Sequence, residues 1–177
     1  MTAEMAHHDR RAAVVTVSDR VAAGAFRDES GNRLAQLLTA AGWAVAATEV
    51  TSDDIDAIAA ILERLADHDR IDLVLTTGGT GLAPRDVTPD ATRRVADREI
   101  PGIAEALRAS SLARTPHAML SRATAAVRGR TLLINLPGSP RAVSQTFEVL
   151  APVLDHAVTL VTGTTPTSEE HRAADRS

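Results

Sequence analysis

Three of the four residues Gly78–Gly81 are glycines, within the stretch TTGGTG, and they form the most distinctive chemical feature of the sequence. Glycines allow a backbone to approach a ligand closely, and successive amide N–H groups in such a loop form a concave array of donors for an anion. The hydroxyls of Thr77 and Thr80 add donors that carry no charge. The pattern therefore favours an anion site, although an ordinary turn would use the same residues.

Charged residues follow the glycines within the same predicted loop. Arg85 can hold a phosphate through two parallel hydrogen bonds, and Asp86 can bind Mg²⁺ or a proton. Thr88 and Pro89 have the residue types of a helix start, with Thr88 as the cap and Pro89 at the first helical position. Because Thr88 accounts for the cap, Asp86 is available for chemistry.

Two further carboxylates, Asp53 and Asp54, lie in Ser52-Asp53-Asp54, directly after the second predicted strand. We expect Ser52 or Asp53 to cap the helix that follows. A carboxylate that is not used as a cap would face the same crevice as Asp86. Two carboxylates in one crevice suit a hard cation that is also bound to phosphates.

The turn Pro137-Gly138-Ser139-Pro140 joins another predicted strand to a helix that Ser139 caps and Pro140 starts. The N-terminus of a helix binds phosphate through its free N–H groups and its dipole. Proline and glycine occur in most turns, so the residue types alone do not indicate a site. The turn is a candidate because it lies at the same end of the sheet as the glycine-rich loop.

The chain has no lysine, cysteine or tyrosine, so its 19 Lys+Arg residues are all arginines. The absence of lysine excludes a Schiff base and the lysine-bearing phosphate loop. The absence of cysteine excludes a thiolate nucleophile, a disulfide, a cysteine-ligated zinc and an iron–sulfur cluster. The HExxH, GxSxG and GxGxxG patterns are also missing. Chemistry must therefore come from Asp, Glu, His, Arg, Ser, Thr, backbone N–H groups or a bound metal.

Length and charge place the chain among small, mildly acidic proteins. Its 177 residues suit one domain, expected over residues 12–163, with flexible tails at 1–11 and 164–177. A net charge of −4 and only three aromatic residues argue against binding to nucleic acid. No segment approaches the roughly 18 apolar residues of a membrane span, and no signal-peptide core is present. We therefore expect a soluble cytoplasmic protein without nucleic-acid or membrane partners.

The elements that must position these residues alternate along the chain. Strands that alternate with helices predict an α/β fold around a mostly parallel sheet with an antiparallel edge element, and ligands of such sheets bind outside the carboxyl ends of the parallel strands. Residues 19–28 are expected to form a loop. The predicted strands are 12–18, 43–50, 71–76 and the antiparallel pair 121–127 and 131–136; the predicted helices are one ended by Gly42, one over 55–65, one from Thr88, one over 101–112, one over 140–150 and a last one from Pro152.

The motifs taken together resemble the MogA/MoaB family of molybdenum-cofactor biosynthesis proteins, which is related to the N-terminal domain of gephyrin. TTGGTG followed by a DVTP segment at this spacing is specific to that superfamily, and the resemblance extends from about Ala12 to Gly163. The stretches that carry it are Ser18-Asp19-Arg20 with Gly24 and Asp28, TTGGTG, RDVTPDAT, REIPGIAEALR, LSR and NLPGSP.

The resemblance implies a three-layer α/β/α sandwich, a homotrimer and a reaction. Active members of the family transfer AMP from MgATP to the terminal phosphate of molybdopterin and release pyrophosphate, before a later enzyme inserts molybdate. The family's two carboxylates correspond to Asp53 and Asp86, which would act in catalysis and bind Mg²⁺. The resemblance places the pocket for substrate and nucleotide at Gly78–Gly81 with Thr77 and Thr80, at Pro137, Gly138 and Ser139, near Arg85, and beside Ser18, Asp19, Arg20 and Ser121.

Several alternatives remain open at this point. Many active relatives have Pro-Asp where this chain has Ser52-Asp53, so a shift of one residue would make Asp54 the functional carboxylate. A non-catalytic protein that binds or delivers molybdopterin would need the same motifs. A CinA-like nucleotide pyrophosphatase is disfavoured, because such proteins typically have TGGLGP where this chain has Thr80 in TGGTGL.

Overall fold

Six strands assemble into one sheet, and four of them are short runs of mainly buried residues. A computed structural model describes residues 10–163 of the chain. The strands are β1 (Arg11–Val17), β2 (Ala44–Thr51), β3 (Leu73–Thr77), β4 (Arg98–Glu99), β5 (Ala125–Arg128) and β6 (Thr131–Leu136). The helices are α1 (Asp19–Ala22), α2 (Glu29–Ala40), α3 (Ile55–Glu63) with a π-helical continuation (Arg64–His68), α4 (Thr88–Val95), α5 (Pro101–Leu112), a 3₁₀ helix (Pro116–Leu120) and α6 (Pro140–Thr162).

The sheet has the strand order β2-β1-β3-β6-β5-β4. Strands β2, β1, β3 and β6 are parallel, whereas β5 runs antiparallel to β6 and β4 runs antiparallel to β5. The predicted mostly parallel sheet with an antiparallel edge is therefore confirmed. The carboxyl ends of β1, β3 and β6 lie side by side, because Thr16 pairs with Thr77 and Thr77 pairs with Leu136.

Alternate residues of β1 enter two separate cores, which makes the fold a three-layer sandwich. Ala12 and Val14 pack in the core that α2, α5 and α6 cover. Ala13 and Val15 pack in the core that α3 and α4 cover on the opposite face. Because side chains of a strand point alternately to its two faces, a central strand covered on both sides must be apolar throughout. None of the helices within residues 10–163 combines the length and apolar character that a membrane crossing requires.

Some predicted boundaries were wrong. Strand β1 begins at Arg11, which the sequence placed in the N-terminal tail, because the N–H of Arg11 donates to Asp72 Oδ2 at 2.9 Å and the residue pairs with Ala44. The remaining parts of the two predicted tails, 1–9 and 164–177, lie outside the described residues. Residues 19–28 are not entirely loop, because the Ser18 hydroxyl accepts the N–H of Val21 and starts the short helix α1.

The last two predicted helices are one helix of 23 residues, α6, with Pro152 inside it. Proline inside a helix removes one backbone hydrogen bond and usually bends or ends the helix. Here Leu150, Leu154 and Val158 are almost fully buried on both sides of Pro152. Their packing against the sheet explains why the helix continues through the proline.

A buried amide connects the sheet to the helix that follows the glycine-rich loop. Asn135, on β6, is 1% exposed, and its Nδ2 donates to Thr76 Oγ1 at 3.0 Å and to Thr92 Oγ1 at 2.9 Å. Its Oδ1 accepts the N–H of Thr124 at 3.2 Å. The hydroxyl of Thr92 donates in turn to the carbonyl of Thr88 at 2.9 Å. One side chain therefore joins β3, the segment before β5 and α4.

We expect Asn135→Leu to lower the free energy of unfolding by about 2–4 kcal/mol, because it leaves the buried N–H of Thr124 without its side-chain acceptor. Urea denaturation measures this change. Asn32→Leu on the exposed surface of α2 is the control, with an expected change within about 0.5 kcal/mol. Equal stabilities of the two variants would contradict the role of the buried amide.

Candidate functional site

The ends of three parallel strands meet at the backbone of Gly78. Its N–H donates to the carbonyl of Leu136 at the end of β6, at 3.2 Å. A Cβ at Gly78 would lie only 2.3 Å from the carbonyl oxygen of Val17 at the end of β1, and the φ of Gly78 is +100°. A side chain has no room there, and L residues rarely adopt that backbone conformation. The first glycine of the loop is therefore required by the packing of the sheet itself.

Two threonine hydroxyls fix the path of the loop over the strand ends. The hydroxyl of Thr77 donates to the carbonyl of Pro137 at 2.7 Å, which joins the two strand-end turns. The hydroxyl of Thr88 donates to the carbonyl of Gly78 at 2.9 Å, and the N–H of Thr88 donates to the carbonyl of Gly79 at 3.1 Å. The predicted capping role of Thr88 was wrong: Val87 precedes α4, whose first turn contains Pro89 but receives no side-chain cap.

Asp53 faces the strand-end crevice, and Asp54 caps the helix. The carboxylate of Asp54 accepts the N–H of Ala57 at 2.9 Å, so the predicted cap at Ser52 or Asp53 was wrong by one or two residues. Oδ2 of Asp53 accepts the N–H of Asp19 at 2.8 Å, and the N–H of Asp53 donates to Oδ1 of Asp19 at 3.0 Å. This reciprocal pair holds Asp53 beside the glycine-rich loop.

Asp86 closes the other side of the same crevice. Its Oδ2 accepts the N–H of Ala83 at 2.9 Å, and its own N–H donates to the carbonyl of Ala83 at 2.8 Å. A Cβ at Gly81 would lie 2.8 Å from Oδ2 of Asp86, so the carboxylate packs directly against the glycine-rich loop. Asp86 is held by a turn within its own loop, whereas Asp53, which follows β2, is held by Asp19, which follows β1.

Asp53 and Asp86 line the same cavity, so both are candidate ligands for Mg²⁺ whose coordination substrate phosphates would complete. Within residues 10–163, Oδ1 of Asp53 and Oδ1 of Asp86 accept no hydrogen bond from the protein. Across the same residues, no group of three or more His, Cys, Asp or Glu side chains forms a closed metal site. Mg²⁺ is commonly held by one or two carboxylates, waters and phosphates rather than by a cage of protein ligands. The donor set therefore fits Mg²⁺ that arrives with a nucleotide.

The residues predicted for the site divide between two cavities on the two sides of the loop. One cavity, of about 360 Å³, is mainly polar; the second, of about 280 Å³, is mainly apolar. Asp19, Arg85 and Ser139 line neither cavity, and Ser139 caps α6 as predicted. The first cavity contains Ser18, Arg20, Asp53, Thr77, Gly78, Gly79, Asp86 and Gly138, and the second contains Thr80, Gly81, Ser121 and Pro137.

Arg85 is paired with a protein carboxylate in this structure. Its Nε and Nη2 donate to Oδ2 and Oδ1 of Asp19 at 2.9 and 2.7 Å. The Arg85 guanidinium, followed by the N–H of Asp53, lowers the pKa of the Asp19 carboxyl below its ordinary value. To contact a phosphate as expected, the Arg85 guanidinium would therefore have to release Asp19 or bind the carboxylate and the phosphate together.

Several residues of the two cavities were missed by the sequence reasoning. Phe26 lines the polar cavity, is 55% exposed, and lies under the guanidinium of Arg20 at 4.1 Å from the ring centroid. Arg108 and His117 line the second cavity. Neither α5 nor the 3₁₀ helix follows a parallel strand, so the strand-end rule gave no signal for these two residues.

We expect Gly79→Ala to destabilise the protein more than Gly129→Ala. Both residues have positive φ, +62° and +55°, and each alanine therefore costs about 1–2 kcal/mol. A Cβ at Gly79 would also lie 2.5 Å from Thr88 Oγ1, whereas nothing lies within 4 Å of a Cβ at Gly129. Urea denaturation of both variants separates the effect of the contact from that of the backbone angle. Equal losses would show that the loop has room for a methyl group.

Comparison with known proteins identifies the family. A family model described as a probable molybdopterin binding domain matches residues 13–156. The molybdopterin adenylyltransferase of Helicobacter pylori (strain J99) is 38% identical over 152 residues, which cover 85% of this chain and 86% of that protein. Gephyrin of Dictyostelium discoideum is 38% identical over 174 residues, which cover 92% of this chain and 24% of gephyrin.

A solved structure supports the same assignment. The molybdopterin biosynthesis enzyme MoaB of Thermus thermophilus is 47% identical and superimposes with a TM-score of 0.82, over 87% of this chain and 97% of that one. The predicted α/β/α fold and the predicted relationship to gephyrin are thus confirmed. The chain belongs to the MogA/MoaB family of molybdopterin-binding, molybdenum-cofactor biosynthesis proteins.

Proposed function

We propose that the chain is a molybdopterin adenylyltransferase, a nucleotidyltransferase of molybdenum-cofactor biosynthesis. The observation that carries this proposal is that Asp53 and Asp86 line one polar cavity against the glycine-rich loop. The likeness to the Helicobacter pylori enzyme of that name, over 85% of the chain, supports it.

The reaction joins two polyanions at a site that must offset their repulsion. An oxygen of the terminal phosphate of molybdopterin attacks the α-phosphorus of ATP, a new P–O bond forms, and the bond to the bridging oxygen breaks with release of pyrophosphate. Cavities on both sides of Gly78–Gly81 allow two substrates to meet at this loop. Preorganised N–H donors aimed at phosphate oxygens stabilise the charge that moves toward the leaving group.

Asp53 and Asp86 would hold Mg²⁺, which neutralises phosphate charge when it is bound. The contacts that the two carboxylates make to Asp19 and Ala83 fix their orientation before substrate arrives. No lysine is needed in this scheme, because the metal, the loop amides and arginine side chains supply the positive charge. Asp54 has no part in it, since its carboxylate is used as a helix cap.

We expect Asp53→Asn and Asp86→Asn each to lower molybdopterin-dependent pyrophosphate release by about 100-fold or more, because each removes one negative ligand while keeping an amide oxygen that can accept the same N–H. A coupled pyrophosphate assay with ATP and Mg²⁺ measures this. The matched control is Asp54→Asn, which keeps a good capping residue and is expected to retain activity within about twofold.

Three results would each contradict a part of the proposal. Full activity of Asp86→Asn would exclude its role as a metal ligand. A wild-type chain that binds molybdopterin but consumes no ATP would instead be a non-catalytic binding or delivery protein. Release of AMP from ADP-ribose would indicate the CinA-like pyrophosphatase reaction.

We further propose a cytoplasmic homotrimer that passes its adenylylated product to the molybdate-inserting enzyme of the pathway. An apolar groove of about 500 Å³ between α5 and α6 is consistent with self-association, since Val153 and Leu160 on it are 49% and 59% exposed.

Light scattering at micromolar concentration is expected to give the mass of three chains, and a monomer mass would contradict the trimer.

A further inference from the structure

Arg122 contacts the polypeptide that carries Asp86 at three separate points. Its backbone N–H donates to the carbonyl of Thr80 at 2.8 Å. Its Nη1 donates to the carbonyl of Asp86 itself at 3.0 Å, and its Nη2 is paired with the carboxylate of Asp90 in the first turn of α4. One residue therefore holds the beginning, the middle and the end of segment 80–90.

Segment 80–90 depends on such polar contacts because burial contributes little to its middle. Residues 82–85 are all exposed, and Leu82 has 62% of its surface in contact with solvent. The internal turn between Ala83 and Asp86 shapes the segment locally but does not attach it to the rest of the protein. Exposed segments with few apolar contacts open easily unless polar groups hold them. Arg122 supplies such an attachment from outside the segment, in addition to the pair that Arg85 forms with Asp19.

The place of Arg122 in the chain also joins the two cavities. It follows Ser121 and the 3₁₀ helix Pro116–Leu120, which lie in the wall of the second cavity. Its guanidinium reaches the segment that carries Asp86 into the polar cavity. The planar fork of arginine suits this position, because it directs two nitrogens at two acceptors of fixed separation, the Asp86 carbonyl and the Asp90 carboxylate.

We propose that Arg122 is a positioning residue that sets the orientation of the Asp86 carboxylate toward the nucleotide-bound metal, by holding the backbone of segment 80–90. This inference rests on the proposed function for the role of Asp86. It adds to the residues that prepare the metal site one that lies between Ser121 and Ala123, which both line the second cavity. Arg122 touches no reacting atom in this scheme and acts only through the backbone of Asp86 and the side chain of Asp90.

Hydrogen exchange of the unliganded protein tests the proposal without any turnover. In Arg122→Met, the amides of Ala83 and Asp86 are expected to exchange about tenfold faster, with no change in the amides of the central strands. Arg94→Met is the matched control, because Arg94 lies on α4 and pairs with Asp56 at the surface, away from segment 80–90. It is expected to leave the exchange of both loop amides unchanged.

Binding of Mn²⁺·ATP, followed by electron paramagnetic resonance, is the second readout. The dissociation constant is expected to rise about tenfold in Arg122→Met, less in Arg122→Lys, which keeps the charge, and not at all in Arg94→Met. If the loop amides do not exchange faster, if exchange accelerates equally throughout the protein, or if Mn²⁺·ATP binding is unchanged, the positioning role is wrong. A wild-type chain that binds Mn²⁺·ATP but releases no pyrophosphate would overturn the proposed function and leave the role of Arg122 standing.

Discussion

The backbone contacts of Gly78 are the constraint on which the rest of the site depends. The ends of β1 and β6 come so close to this residue that a Cβ would lie 2.3 Å from the carbonyl oxygen of Val17. Gly138, in the turn after β6, also approaches it, since a Cβ there would lie 3.2 Å from Gly78 Cα. Once the three strand ends are packed in this way, the chain after β3 must cross over them as a glycine-rich loop. The loop then brings Thr88 under Gly78 and Asp86 against Gly81.

Charge is the second constraint, although Arg20 and Arg27 line the polar cavity together with the acidic residues. The chain has 23 acidic residues and no lysine, and three of the acids, Asp19, Asp53 and Asp86, gather at the strand ends. Within residues 10–163, the only arginine that binds one of these three acids through two hydrogen bonds is Arg85, which binds Asp19. Under the proposed function, Mg²⁺ held by Asp53 and Asp86 would offset the repulsion between these carboxylates and the substrate phosphates.

The sequence predicted the parts of the fold that the hydrophobic periodicity and the turn residues determine. Alternating strands and helices predicted the mostly parallel sheet, and the adjacent strand patterns at 121–127 and 131–136 predicted the antiparallel pair β5 and β6. The spacing of TTGGTG and RDVTP indicated a crevice at the strand ends, and the structure places Asp53 and Asp86 together there. Short polar residues were harder to assign, because the same type can cap a helix or hold a loop. For this reason Asp54 caps α3 where Ser52 or Asp53 was expected to, and Thr88 donates to the carbonyl of Gly78 instead of capping α4.

Other features could not be predicted because they depend on tertiary contacts. Helix α6 passes through Pro152 because residues on both sides of the proline are buried against the sheet. The network around Asn135 joins four residues that are far apart in the chain, so no local pattern reveals it. Arg122 was visible in the sequence only as part of the LSR motif, and its contacts to Thr80, Asp86 and Asp90 emerge from the fold.

The location of a bound triphosphate would show whether the glycine-rich loop and the two carboxylates form the reaction site. A crystal structure of the chain with Mg²⁺ and a non-hydrolysable ATP analogue is expected to show phosphate oxygens at the amides of Gly79, Thr80 and Gly81, since the N–H of Gly78 already donates to Leu136. Mg²⁺ is expected at about 2.1 Å from a carboxylate oxygen of Asp53 or Asp86. A triphosphate bound elsewhere, or a metal ion coordinated by neither carboxylate, would contradict the account.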